Sequence, residues 1–178
     1  MKYLVIASLF TAFISLVVYV TSIIAVHGIR KSISDSNYFL QKPFKLVFEI
    51  VMWICGLAII ITGIFIKGSP DWWIIFGGFG IFLVGVFSDF KRNLIIRIAH
   101  YISAIGGFIL LGLSYYFSFE NIEYTIIITL SAIFTYSIAN CRSCFFRRTK
   151  TDTTIWFLEL TLSAEIFVGL FFYAHAIM

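Results

Sequence analysis

Long apolar runs separated by short polar connections organise this chain. Crossing about 30 Å of hydrocarbon takes roughly 17 to 25 residues of helix. Six stretches have that length and few charges: 3–26, 46–66, 72–88, 98–119, 124–141 and 154–178. Glu49 interrupts the second, and Glu159 and Glu165 interrupt the sixth. The apolar residues are continuous rather than alternating, which does not suit the strands of an outer-membrane barrel. The pattern predicts an all-α integral membrane protein, a bundle of six transmembrane helices in a single polytopic domain over residues 1–178. The connections are too short to hold an extramembrane domain.

The first run follows Met1-Lys2, as the apolar part of a secretion signal would. It is longer than the roughly 7 to 15 residues of such a region, and Ala25-Val26-His27-Gly28 makes a poor cleavage site. A retained span is expected.

Composition agrees with this pattern. Of 178 residues, 61% are hydrophobic and 12% charged, and the mean hydropathy is +1.00, which leaves too few polar side chains to cover a soluble domain. Disorder is excluded by the same figures. The net charge of +4 would suggest nucleic-acid binding in a soluble chain, so the placement of the bases decides its meaning. Arg30, Lys31, Lys42 and Lys45 follow the first run, Lys91, Arg92 and Arg97 the third, and Arg142, Arg147, Arg148 and Lys150 the fifth. Those loops share one side; Lys2, Lys67, Asp71, Glu120 and Glu123 lie on the other. By the positive-inside rule the three basic loops are cytoplasmic and both termini are outside, with the bacterial cytoplasmic membrane as the expected location. The charge then reads as topology and as attraction to anionic headgroups. Membrane lipids are the expected partners, with a homo-oligomer or a partner membrane protein left open, and no nucleic acid is expected.

An ionisable side chain inside a span is costly and asks for a partner or a role. This topology brings Glu49, Asp89, His100 and Glu159 to the cytoplasmic rim, beside the loop of Ser32, Ser34, Asp35, Ser36 and Tyr38. Ser34, Asp35, Ser36, Tyr38, Glu49, Asp89 and His100 are the ligand-binding candidates. Plainer accounts stand beside this one. Lys45 and Glu49 can pair one helical turn apart, Asp89 can be solvated next to Lys91 and Arg92, and His100 can simply pack at the interface. Serine and aspartate of the loop can cap a helix. Glu159, about 8 Å into its span, can reach the headgroups. Glu165 lies roughly 16 Å in, near the midplane, and should face the bundle interior, with Thr161 on the same face one turn earlier. Two sets of small residues, Ala99, Ser103 and Gly107 in the fourth run and Gly77, Gly78 and Gly80 in the third, predict close helix approach.

No catalytic template is present: there is no P-loop, G-x-G-x-x-G, H-E-x-x-H or G-x-S-x-G. Cys141 and Cys144 supply two thiols where structural zinc takes four ligands. His27 and His100 are expected near one membrane face and His175 near the other, too far apart to share a metal. A site of His100, Asp89 and Asp35 stays open. No cofactor or metal is expected.

Three short segments carry a resemblance: Ile33-Ser-Asp-Ser-Asn-Tyr38 after the first run, Gly85-Val-Phe-Ser-Asp-Phe90 at the end of the third, and His100-Tyr-Ile-Ser-Ala104 in the fourth. Together they resemble the six-helix DRAM/FRAG-like membrane proteins and related bacterial domains, over about the first 120 residues. Ser88 stands where those relatives often carry proline. The resemblance implies a six-helix bundle concerned with lipids or membrane signalling, and by position Ser34, Asp35, Asp89 and His100 match the family's polar positions. Membrane hydrolases of the alkaline-ceramidase type are a more distant comparison, and the scattered histidines count against them.

The leading expectation is a non-enzymatic sensor or accessory protein that binds a lipid or small ligand at its cytoplasmic polar cluster. Two alternatives remain: an oligomeric pore or permease using Glu165 and Glu159, and a lipid hydrolase using Asp35, Asp89 and His100.

Overall fold

The computed structural model of the chain describes residues 1–28, 32–40, 42–66, 69–117, 126, 130, 131, 134 and 154–177. They form α1 (Lys2–His27), a short 3-10 helix (Ser34–Phe39), α2 (Lys42–Phe65), α3 (Trp72–Val86), α4 (Leu94–Phe117) and α5 (Thr154–Ile177). No strand occurs among the described residues. Four helices, α1, α2, α4 and α5, are long and apolar enough to cross a membrane. The expected fifth run, 124–141, lies outside the described residues except for the helical Ile126, Leu130, Ser131 and Phe134. Cys141, Cys144 and the basic stretch after them also lie outside.

The third run differs from expectation. Its helix has 15 residues and ends at Val86 instead of reaching Ser88, so at 1.5 Å per residue it is about 22 Å long, short of a full span. Where six spans were expected, the described residues hold four long apolar helices and one short one. The ends of α3 are set by local chemistry. Asp71 Oδ1 accepts the backbone N–H groups of Trp73 and Ile74 at 3.2 and 3.3 Å, satisfying donors that an uncapped helix leaves orphaned.

α1 buries Val5, Leu9, Ala12, Leu16, Tyr19 and Ile23, a spacing of alternating four and three residues that draws one stripe along the helix. It stops at Gly28, whose φ of 71° is the left-handed conformation that glycine adopts without a Cβ clash, and the Gly28 N–H closes on the Ile24 carbonyl at 3.0 Å. The outward faces stay apolar: Phe10 and Val18 on α1, Ile95 and Ile102 on α4, and Phe172 on α5 are all exposed. A soluble protein rarely shows so continuous an apolar surface, whereas hydrocarbon solvates it without cost.

From α1 to α4 each helix runs antiparallel to the one before it, α5 runs parallel to α4, and α3 lies between α2 and α4 at unusually close range. A Cβ placed on Gly78 would come within 2.9 Å of the Gly56 carbonyl oxygen of α2. One placed on Gly80 would come within 2.7 Å of the Gly107 Cα of α4. The small-residue faces expected of the third and fourth runs thus allow backbone-to-backbone packing, the association that lipid, offering no hydrophobic drive between helices, favours. α1 packs on α2, where the Cys55 Sγ reaches the Ala12 carbonyl at 3.7 Å, and on α5 through the Phe13–Phe167 edge contact. α5 returns to α4, where the Tyr115 hydroxyl donates to the Ile166 carbonyl at 2.9 Å. The five helices surround a common core.

The two ends of this bundle are chemically unlike. At one end the Lys2 ammonium donates to the His175 carbonyl at 3.0 Å, and Trp73 stacks on Phe117. The beginning of α1 and the end of α5 therefore lie together. The other end gathers the 3-10 helix, the α3–α4 turn and the first turns of α2, α4 and α5.

Candidate functional site

That second end is a polar cap, built by folding residues 32–40 across the helix ends. Ser32 Oγ accepts the Asp35 N–H at 2.9 Å, so a serine rather than Asp35 starts the 3-10 turn. Ser36, fully buried, donates to the Ile33 carbonyl and meets the Tyr19 hydroxyl of α1 at 2.6 Å. The Ile33 N–H donates to Glu159 Oε2 of α5 at 2.6 Å. On its other flank the loop meets the α3–α4 turn: Asp35 forms an ion pair with Lys91, and the Tyr38 hydroxyl accepts the Lys91 N–H at 2.5 Å. Asn37 and Tyr38 both reach the Ser88 carbonyl at 3.5 Å.

Each candidate has a definite place in this cap. Glu49 accepts the Ser88 hydroxyl at 2.6 Å, tying α2 to the end of α3, while Lys45 sits 5.5 Å from the Tyr38 ring centre. The pairing of Lys45 with Glu49 gives way to these two contacts. Asp89 is exposed, and its carbonyl accepts the Arg92 N–H, as a solvated turn residue would. His100 is buried; its Nδ1 is 3.0 Å from the Phe87 carbonyl, and its ring stacks on Phe90 at 4.4 Å. Phe90 meets Tyr38 edge-on at 5.2 Å, so an aromatic row joins the loop to α4. Ser34, the first residue of the 3-10 helix, is buried. Glu165 is apart from all of these, half-buried in mid-α5, where it accepts a hydrogen bond from Ser131. Thr161, one turn before it, is half-buried too.

The expected cluster therefore gathers at one end, but most of its members are bound to one another or to backbone. Asp35 and Asp89 both border Tyr38 while His100 is engaged by the Phe87 carbonyl, and among the described residues no three His, Cys, Asp or Glu side chains come together as a metal site. The sequence offers no site role for Tyr19, Asn37 or Phe90, and names Ser88 only as a departure from the resembled family and Lys91 only as a topological charge. Tyr19 carried a signal: a phenol at the polar end of an apolar helix usually seeks a partner when buried.

What remains outward is basic and aromatic, with the exposed Asp89 carboxylate beside Tyr38. Lys91 is half exposed, with its ammonium 4.3 Å over the Tyr38 ring. Arg92 and Arg97 are exposed beside it. The Tyr38 hydroxyl is held above the usual tyrosine range, chiefly by burial, with the Asp89 and Asp35 carboxylates adding to the effect and the Lys91 N–H opposing it.

Directly under the loop is a partly open pocket of about 60 Å³ lined from all five helices and by Ile33 and Ser34. Its lining is apolar apart from a few groups, among them Glu159 and Ser163 of α5. None of the family models, curated proteins and solved structures compared with this chain matches it.

Proposed function

We propose that the chain is a six-span protein of the bacterial cytoplasmic membrane, with the polar cap in the cytoplasm and both termini outside, and that it binds anionic lipid headgroups at the rim of the cap. It acts on this reading as a sensor or accessory subunit, not as an enzyme. The resemblance to the DRAM/FRAG-like proteins carries the same expectation of lipid-linked work.

The supporting observation is the division of labour within the cap. Asp35, Glu49, Glu159, Ser36 and His100 are engaged internally, while Lys91, Arg92 and Arg97 outnumber the one exposed acid, Asp89, on the outward side around Tyr38. A tyrosine at headgroup depth is a common interfacial anchor, and each nearby base adds about 1 kcal/mol of attraction to an anionic surface. Lys91 serves both purposes: it fixes Asp35 and leaves part of its ammonium available to a phosphate.

Native mass spectrometry of the protein released from nanodiscs holding equal phosphatidylglycerol and phosphatidylcholine tests the reading. Preferential retention of phosphatidylglycerol, reduced at least about threefold by Lys91→Ala with Arg92→Ala, is expected. Equal retention of the two lipids would refute it.

A further inference from the structure

The 3-10 helix is fastened to the bundle on two flanks, and the two are built differently. Its inner flank reaches between the helices: Ser36 meets the Tyr19 hydroxyl at 2.6 Å, and the Ile33 N–H donates to Glu159 Oε2 at 2.6 Å. Its outer flank converges on one residue. The Lys91 ammonium pairs with Asp35, and the Lys91 N–H donates to the Tyr38 hydroxyl at 2.5 Å, while the two contacts to the Ser88 carbonyl are long, at 3.5 Å each. If Lys91 moves, the outer flank comes away as a unit and the inner flank stays as its pivot.

Lys91 is also one of the bases offered to lipid. Its side chain is 47% exposed, whereas that of Asp35 is 11% exposed. The ammonium is therefore open to an incoming anion on the side that Asp35 does not cover. An ion pair with one partner so exposed adds little stability, and a base at an anionic surface gains a comparable amount, so a phosphate can displace the carboxylate. A second anion beside the same ammonium also repels the first. Asp35 is too enclosed to stay charged without a partner. Once it loses Lys91 it has to turn toward water, and the helical turn that carries it moves too.

We propose that Asp35 regulates the lipid site: it holds Lys91 when no headgroup is bound and yields it to a headgroup phosphate, which releases the outer flank of the 3-10 helix. This regulation rests on the lipid reading above and adds a change in the protein that reports the bound lipid. Tyr38, whose ring centre lies 4.3 Å from the same ammonium, moves with the flank.

Hydrogen–deuterium exchange of the full chain in nanodiscs, followed over residues 32–40, tests this without any substitution. The amides there should exchange at least about threefold faster with phosphatidylglycerol present than with phosphatidylcholine alone. Equal or slower exchange while phosphatidylglycerol is retained would overturn the proposal. Inorganic phosphate added to phosphatidylcholine nanodiscs should leave the rate unchanged, and acceleration by it would overturn the lipid as the trigger. Lipid retention by native mass spectrometry gives the second measurement. Asp35→Asn should raise the preference for phosphatidylglycerol at least about threefold. Asp89→Asn, which removes the same charge beside Tyr38 but leaves the Lys91 pair intact, should raise it less. In a Lys91→Ala background, Asp35→Asn should add no more than Asp89→Asn does. A gain from Asp35→Asn that only equals the gain from Asp89→Asn, or that persists in full without Lys91, would refute the regulation and leave the lipid reading in place. Equal retention of the two lipids by wild type and by Asp35→Asn would remove the lipid reading and the regulation with it.

Discussion

The Tyr19 hydroxyl and Ser36 Oγ meet at 2.6 Å, both buried, and join the end of α1 to the loop that follows it. Ser36 also donates to the Ile33 carbonyl, so this small network fixes the loop just where the Ile33 N–H turns to Glu159. Removing the phenolic oxygen with Tyr19→Phe should cost about 1 kcal/mol, and Ser36→Ala, which strands a buried hydroxyl, about 1–3 kcal/mol. A double-mutant cycle on unfolding in detergent should return a clear coupling energy; strictly additive effects would mean that the contact is not made.

The α3–α4 crossing tolerates nothing larger than glycine. Gly80→Ala would put a methyl group 2.7 Å from the Gly107 Cα, against backbone that cannot rotate away. A loss of about 1–3 kcal/mol is expected from the forced separation. Gly106→Ala, on the same helix but with nothing within 4 Å among the described residues, should be neutral or stabilising by up to about 1 kcal/mol. Melting temperatures of the two variants, measured side by side, check the contrast.

Asp71 caps α3 through Trp73 and Ile74. Asp71→Ala should destabilise the protein by about 1 kcal/mol and Asp71→Asn by much less, since asparagine caps nearly as well. Equal losses in the two variants would assign the effect to charge instead of capping.

Tyr38 should ionise above 10.0, the ordinary value of a free tyrosine. Its raised value means that the folded state prefers the neutral phenol, so its contribution to stability is intact below about pH 10 and is lost as pH rises through the folded value. The difference in phenolate absorbance between wild type and Tyr38→Phe isolates this titration from the other tyrosines. A midpoint at or below that of free tyrosine would contradict the burial and the carboxylate neighbours described for it.

The orientation proposed for the bundle is open to direct labelling. In a background with the three cysteines replaced, Lys2→Cys should react with an impermeant thiol reagent applied to intact cells, and Arg92→Cys only after permeabilisation. The reverse pattern would turn the cap outward.

Much of the fold was legible along the chain because hydrocarbon imposes a one-dimensional rule: any residue run without charge for long enough belongs in it. The ends of α1, α2, α4 and α5 fall within a few residues of the expected runs. The third run was less legible. Its apolar composition continues through Phe87, but the helix stops at Val86 because Ser88, Asn37, Tyr38 and Glu49 recruit the following backbone and side chains into the cap. Such partners are distant in sequence, and composition carries no record of them.

The sequence by itself determined which helices are long and apolar enough to cross a membrane, the glycine faces that let α3 approach its neighbours, and the gathering of polar residues at one end. These follow from transfer free energies and side-chain size, which are properties of single residues. The tertiary structure alone decided who bonds with whom: that Asp35 goes to Lys91, Glu49 to Ser88, His100 to a backbone carbonyl and Glu159 to the loop. Partner choice depends on distances and angles among groups that the chain brings together only when folded, and a hydrogen bond or ion pair exists only at those distances.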